Sequence, residues 1–255
     1  MTLTTKQDVT QVQFRCLIRL LTMCFLLGWP IHGGADEPGK KRFYDPIERD
    51  IEGWSVSIDP AMLDGDFPER KQVAENALRA LANHLQRVTY IVPADRLKQL
   101  REMRIWIDWE HELSNMQYHP SRRWLTQNGY DPRLEKHVHI PRAKQLLAAS
   151  QWAKHPYAVL HELAHAFHDQ VLGFDHPAVK DTYDQMKQGG TYQEVLLYTG
   201  KKVEHYGLSN HKEYFAESTE AYFGVNDFYP FVRAELREHD PRMFRLMKET
   251  WGEVR

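Results

Sequence analysis

The segment His161-Glu162-Leu163-Ala164-His165 constrains this chain more than any other. It lies in an apolar stretch, Pro156 to Gly173, whose spacing predicts one helix. Pro156 suits a first helical position, and Gly173 suits a stop just past the last turn. Val159, Leu160, Leu163, Ala164, Phe167 and Val171 supply the surface that packs on the rest of the fold. Residues four apart on a helix lie one turn above each other, so His161 and His165 present their rings on one face. Two neutral imidazoles at that separation can hold one Zn²⁺, with Glu162 beside it to take a proton from a metal-bound water. As inert core, two histidines and a glutamate on a packed helix would be costly to bury without a partner, which favours the metal reading.

That metal chemistry has to run without sulfur. Both cysteines, Cys16 and Cys24, fall in the first 35 residues. There Arg15 and Arg19 lead into an apolar run from Leu20 to Leu27, broken by Gly28, Trp29 and Pro30 and closed by Gly33-Gly34-Ala35. A basic start, a short apolar core and a small-residue exit predict a secretory signal over residues 1–35, with an uncleaved anchor as the alternative. The run is too short to span a hydrocarbon core of ~30 Å comfortably, so no stable membrane insertion is expected after cleavage. The mature chain, residues 36–255, is then expected outside the cytoplasm, either secreted or in the periplasm or cell envelope. Lacking any thiol, it has no disulfide scaffold, cysteine nucleophile or thiolate zinc site.

The 255-residue length allows one generous domain, or two small lobes around a cleft. With 33 basic and 35 acidic residues and a net charge of −2, the chain lacks the basic footprint of a nucleic-acid binder. Trp54-Ser55-Val56-Ser57-Ile58 alternates as a strand, and Pro68 to Arg87 has helical spacing through Val73, Leu78, Leu81 and Leu85. A second helix is expected at Asp95 to Met103, a strand at Arg104 to Trp109 and a loop from Glu110 to Lys136. Val138-His139-Ile140 reads as a short extended piece before a helix from Arg142 to about Ser150. Helices near Ala178 to Lys187, Asn210 to Phe223 and Pro241 to Trp251 complete the chain. Strands come early and helices late, which predicts an α+β fold with a small N-terminal sheet and a mostly helical C-terminal half.

A zinc bound by two histidines needs a third protein ligand and an open position for water. Metzincin spacing asks for Gly three and His six residues after His165; here His168 and Val171 occupy those places. The remaining common solution is a downstream glutamate. Asn210 to Phe223, read as a helix, stacks Glu213, Glu217 and Glu220 on one stripe. Glu213 can bind the metal, and Glu217 one turn on can hold the free N–H of a ligating histidine. Two other readings compete. Asn210 with Glu213 also makes a capping box, and the acidic column also fits a solvated face.

The combination of His161 to His165 with Glu213-Tyr214-Phe215-Ala216-Glu217, 48 residues after His165, resembles the anthrax lethal factor-type and Pro-Pro endopeptidase-like branch of the gluzincin peptidases. The resemblance runs from about Tyr157 to Gly224. It implies a zincin-like domain in which Glu213 is the third zinc ligand. It also implies that Tyr206, seven residues earlier, donates to the scissile carbonyl oxygen or the leaving amine. Thermolysin-like enzymes, more distantly, space a ligand and a supporting carboxylate four apart, as Glu213 and Glu217 are.

The reaction so implied is hydrolysis of a peptide bond in a peptide or protein substrate, with Zn²⁺ as cofactor and Glu162 as general base. His168 is expected at the rim or in a hydrogen bond, and Asp169 either behind His165 or in solvent. By analogy with such peptidases, the stretch holding His139 is expected to lie along the substrate backbone, and Tyr198 is a weaker substitute for Tyr206. Two other functions fit the same motif: a catalytically idle zinc- or peptide-binding protein, and a zinc hydrolase of a non-peptide amide. Loss of the base would mark the idle protein, and Glu162 is intact.

Overall fold

A computed structural model describes residues 43–65 and 68–254. The leader expected over residues 1–35, with both cysteines, lies outside the described residues. The chain enters with a hairpin of β1 (Ile47–Ile51) and β2 (Trp54–Ile58). Glu52 and Gly53 join them with φ of 55° and 90°, the positive values that a two-residue turn needs to match strand twist. Two helices follow, α1 (Pro68–Ile91) and α2 (Ala94–Leu100). Along α1 the buried Ala74, Ala77, Leu81, Leu85 and Val88 recur at three- and four-residue intervals, one apolar stripe packed on the motif helix and on the 3-10 turn at Ala143–Leu147. Next come β3 (Arg104–Ile107), β4 (Gln117–Tyr118), α3 (Arg122–Gln127) and β5 (His137–Ile140).

The five strands form one sheet in the order β1-β2-β3-β5-β4. The pairs β2/β3 and β3/β5 run parallel, and β4 returns antiparallel on β5. Val56, Ile58, Ile105, Ile107, Val138 and Ile140 have no exposed surface, as expected of strands in the middle of a covered sheet. β1 and β4 are the two edges.

The second half begins with α4 (Ala149–Lys154) and α5 (Ala158–Phe167), which carries the motif. α6 (Pro177–Gly189), the small hairpin β6 (Val195–Leu196) and β7 (Lys202–Val203), and a 3-10 turn at Tyr206–Leu208 lead to α7 (His211–Phe223). Every residue of α7 from Tyr214 to Phe223 is buried, so this helix is the spine of the C-terminal half. α8 (Arg233–His239) and α9 (Pro241–Trp251) close it. Trp251 stands 4.3 Å from Phe167, 6.0 Å from Phe215 and 5.6 Å from Phe223, between ring centroids, and ties α9 to both α5 and α7. Among the described residues no helix is long and apolar enough to cross a membrane.

The α+β class and the division into an early sheet and late helices agree with the sequence reading. The strand at Trp54–Ile58 and the last helix keep their expected ends. The helix expected from Pro156 to Gly173 does not form in one piece. Pro156 lies in a turn closed by Ala158 N–H on the His155 carbonyl (3.1 Å), and α5 starts at Ala158. After Phe167 the winding loosens to a π turn, His168–Leu172, which Gly173 ends at φ 82°. The segment Arg142 to Ser150 is mostly a 3-10 turn, Ala143–Leu147, before α4. The expected loop from Glu110 to Lys136 holds β4 and α3, both too short to carry a periodic signal.

Candidate metal centre

α5 and α7 lie side by side and place the histidines of one against the glutamates of the other. His161 Nε2 and His165 Nε2 are 3.1 Å apart, and each is 3.2 Å from Glu213 Oε2. Ligand bonds of 2.0–2.1 Å at tetrahedral angles put neighbouring donor atoms about 3.3–3.4 Å apart, so this near-equilateral triangle has the edge length of three zinc ligands. The protons agree with it. His161 Nδ1 lies 2.7 Å from Glu220 Oε1 and donates to it, which turns Nε2 to the triangle, where it offers a lone pair once an ion replaces its proton. The residues fit a zinc ion.

Asn210 caps α7, its side chain accepting from Lys212 N–H (2.9 Å) and Glu213 N–H (3.1 Å). The Glu213 carboxylate does not complete the box; it points to the histidines instead. Burial opposes its ionisation, yet the two imidazoles override that and hold its carboxyl well below the ordinary range. Burial also works against a charged His161, but its hydrogen bonds to the Glu213 and Glu220 carboxylates raise its pKa well above the usual value. For His165 burial prevails and the pKa falls. The metal-free triad thus keeps a proton on His161, which an ion would displace.

Glu162 Oε2 accepts from the Tyr118 backbone N–H of β4 at 2.8 Å. Burial pushes its carboxyl up to about 8, against the pull of His161. Tyr206 is half exposed on its 3-10 turn and lines the same cleft of about 1220 Å³ as His161, Glu162 and Glu213. Gly207 eases the close approach of this turn to α7: a Cβ there would meet His205 Nδ1 at 3.0 Å and the Tyr214 backbone at 3.2 Å, tighter than ordinary contact. Burial and the charge of Glu213 raise the phenol pKa, so Tyr206 keeps its proton and can donate. Tyr198 sits exposed in the turn between β6 and β7.

Four expectations need correction. Glu217 is not the partner of His161 Nδ1; it stands 3.7 Å away, while Glu220 makes the bond, because the rotation of α7 brings residue 220 opposite the ring. Asp169 does not back His165. The π turn swings it off the stripe, and it accepts from the Tyr118 hydroxyl (2.6 Å) and pairs with Lys136. The same turn drives His168 from the rim into the core against Phe174 and Phe215, where burial lowers its pKa to about 3. His139 is fully buried, because β5 lies between β3 and β4 and is no edge. Its Nε2 meets Asp108 Oδ2 at 2.7 Å and its Nδ1 meets His119 Nε2 at 3.0 Å.

Asp108, His111 and His139 also come within ligand-sharing distance of one another. Asp108 and His139 are at hydrogen-bonding separation, however, and Tyr44 and Trp106 complete the carboxylate's partners, so a satisfied network accounts for this group. Two contributors escaped the sequence reading. Glu220 was visible only as the third acid of a stripe, seven residues after Glu213 and three after Glu217. The Tyr118 amide is a backbone group, for which no side-chain signal exists.

Residues 129–250 match a family described as Anthrax toxin lethal factor, N- and C-terminal domain. The span takes in α5, the Tyr206 turn and α7, which hold all the centre's side chains. Neither the curated proteins nor the solved structures yield a significant match.

Proposed function

We propose that this chain, lethal-factor-like over residues 129–250, is a secreted or envelope-located zinc metallopeptidase acting on peptides or proteins. The observation that carries the reading is the 3.1–3.2 Å triangle of His161, His165 and Glu213, with Glu162 and Tyr206 in the same cleft. Lethal-factor-like proteins are zinc-dependent, which supports zinc as the ion. When bound, zinc supplies Lewis acidity, lowering the pKa of a water to ~7 and polarising the substrate carbonyl. Glu162 then takes the proton of the attacking water and hands it to the leaving nitrogen. Glu220 holds the His161 ring in the tautomer that leaves Nε2 free. β4 borders the cleft through Gln117 and Tyr118, and an extended peptide would lie along this edge strand rather than along β5.

Purified protein should cleave casein or a mixed peptide library, lose that activity to a chelator and regain it with Zn²⁺. Zinc binding without cleavage would instead point to an idle binding protein, or to an amide outside peptides. Tyr206→Phe is expected to keep its zinc and its KM while kcat falls by about 10²-fold, the lower end of what loss of one oxyanion donor costs. Unchanged turnover by this variant would remove Tyr206 from the reaction.

A further inference from the structure

Tyr118 is held at both ends by the helical segment that carries the motif. Its backbone N–H donates to Glu162 Oε2 at 2.8 Å, and its hydroxyl donates to Asp169 Oδ2 at 2.6 Å. The first bond reaches the general base; no step of the reaction uses the second. Asp169 lies in the π turn His168–Leu172, a winding that recurs at functional positions in helices.

The strand between these two bonds has little else to fix it. β4 is two residues long and pairs on one side only, with β5. His119, just past its end, makes both of its backbone bonds with the start of β5: its N–H donates to the His137 carbonyl (3.1 Å), and its carbonyl accepts from Lys136 N–H (2.7 Å). Backbone groups alternate in direction along an antiparallel strand, so the Tyr118 N–H faces the other way, into the cleft, where Glu162 meets it. The Tyr118 side chain is buried, its ring edge-on to Phe174 with centroids 6.4 Å apart. Burial and the Asp169 carboxylate raise the phenol pKa, so the hydroxyl keeps its proton and donates. Asp169 also pairs with Lys136, whose φ of 61° is left-handed, a region that residues other than glycine rarely adopt. The lysine side chain is 43 % exposed, so solvent screens that ion pair and the tyrosine bond is the firmer tie.

We infer that Asp169 is a positioning residue for Glu162: from the π turn it holds the Tyr118 hydroxyl, and so sets the edge strand whose amide aims the base. The inference rests on the peptidase reading and adds to it a residue that does not itself line the cleft. Without the tie the amide is free to shift, and a misplacement of about 1 Å at a reacting group can cost about 10²-fold in rate. A purely architectural tie is the competing reading; it predicts lost stability with no selective effect on turnover.

The test compares zinc-loaded wild type with Asp169→Ala, Asp169→Asn and Tyr118→Phe. Asp169→Ala and Tyr118→Phe are expected to lower kcat about tenfold with KM and zinc content unchanged. Asp169→Asn keeps an oxygen for the hydroxyl and is expected to recover at least about a third of the wild-type rate. In a Glu162→Gln background, where no base is left to aim, adding Asp169→Ala is expected to change the residual rate less than about twofold. Should Asp169→Ala fail to fold, Tyr118→Phe, which keeps the ring and the amide, carries the same comparisons. Unchanged kcat, a rise in KM alone, loss of zinc, an equal loss in Asp169→Asn, or a loss that persists in Glu162→Gln each overturns the inference. Hydrogen exchange of the Tyr118 amide, followed by NMR on zinc-loaded protein, reads the tie without turnover, and Asp169→Ala is expected to speed it at least about tenfold. Faster exchange in a protein that cleaves nothing leaves the tie to Glu162 standing and removes only the peptidase reading; unchanged exchange overturns the inference whatever the activity.

Discussion

Replacing Glu162 by glutamine is expected to leave one zinc per chain and to lower kcat by about 10²–10⁴-fold, the range a positioned general base contributes. The two readouts part because Glu162 is outside the donor triangle: its Oε2 accepts from Tyr118 N–H, while His161, His165 and Glu213 face one another. Glutamine can keep a carbonyl oxygen toward that amide, so the strand-to-helix contact survives and only proton acceptance is lost. Atomic-absorption zinc content and initial rates on one peptide substrate separate the effects. Wild-type turnover by the variant would take Glu162 out of the base role. Loss of zinc would show that the residue supports the metal rather than the proton transfer.

Glu213→Ala is expected to lose zinc and all hydrolysis, whereas Glu217→Ala keeps stoichiometric zinc. Both residues are acidic and one turn apart on α7, yet only Glu213 places an oxygen 3.2 Å from both imidazoles. Removing it leaves two ligands where zinc sites use three from the protein, and the chelate becomes too weak to retain the ion against dilution. Removing Glu217 leaves the triangle and the Glu220 bond to His161 in place. Metal content of the two purified variants decides it. Zinc retained by Glu213→Ala and lost by Glu217→Ala would exchange their roles.

The histidine pair was legible because helical periodicity alone sets it: His161 and His165 share a face wherever α5 sits, whereas the stripe of α7 only narrows the third donor to a few acids. Choosing among those acids required the resemblance to a family, since Asn210 with Glu213 reads equally well as a capping box. The cap and the candidate ligand are separate: Asn210 bonds the first amides, and Glu213 turns its carboxylate toward the two imidazoles.

What the sequence by itself determined is therefore local: a histidine pair on one helix, an acidic stripe on another, cysteines confined to positions 16 and 24, and an α+β order of elements. What only the tertiary structure decided is which groups meet across elements. The rotation of α7 against α5 gave the His161 contact to Glu220 rather than Glu217. The π turn after Phe167 sent His168 and Asp169 away from the stripe they share with His165 on an ideal helix. Insertion of β5 between β3 and β4 buried His139 and left β4 as an edge. Each outcome depends on packing angle, winding or strand order, quantities set by many weak contacts distant in sequence, which no short segment encodes.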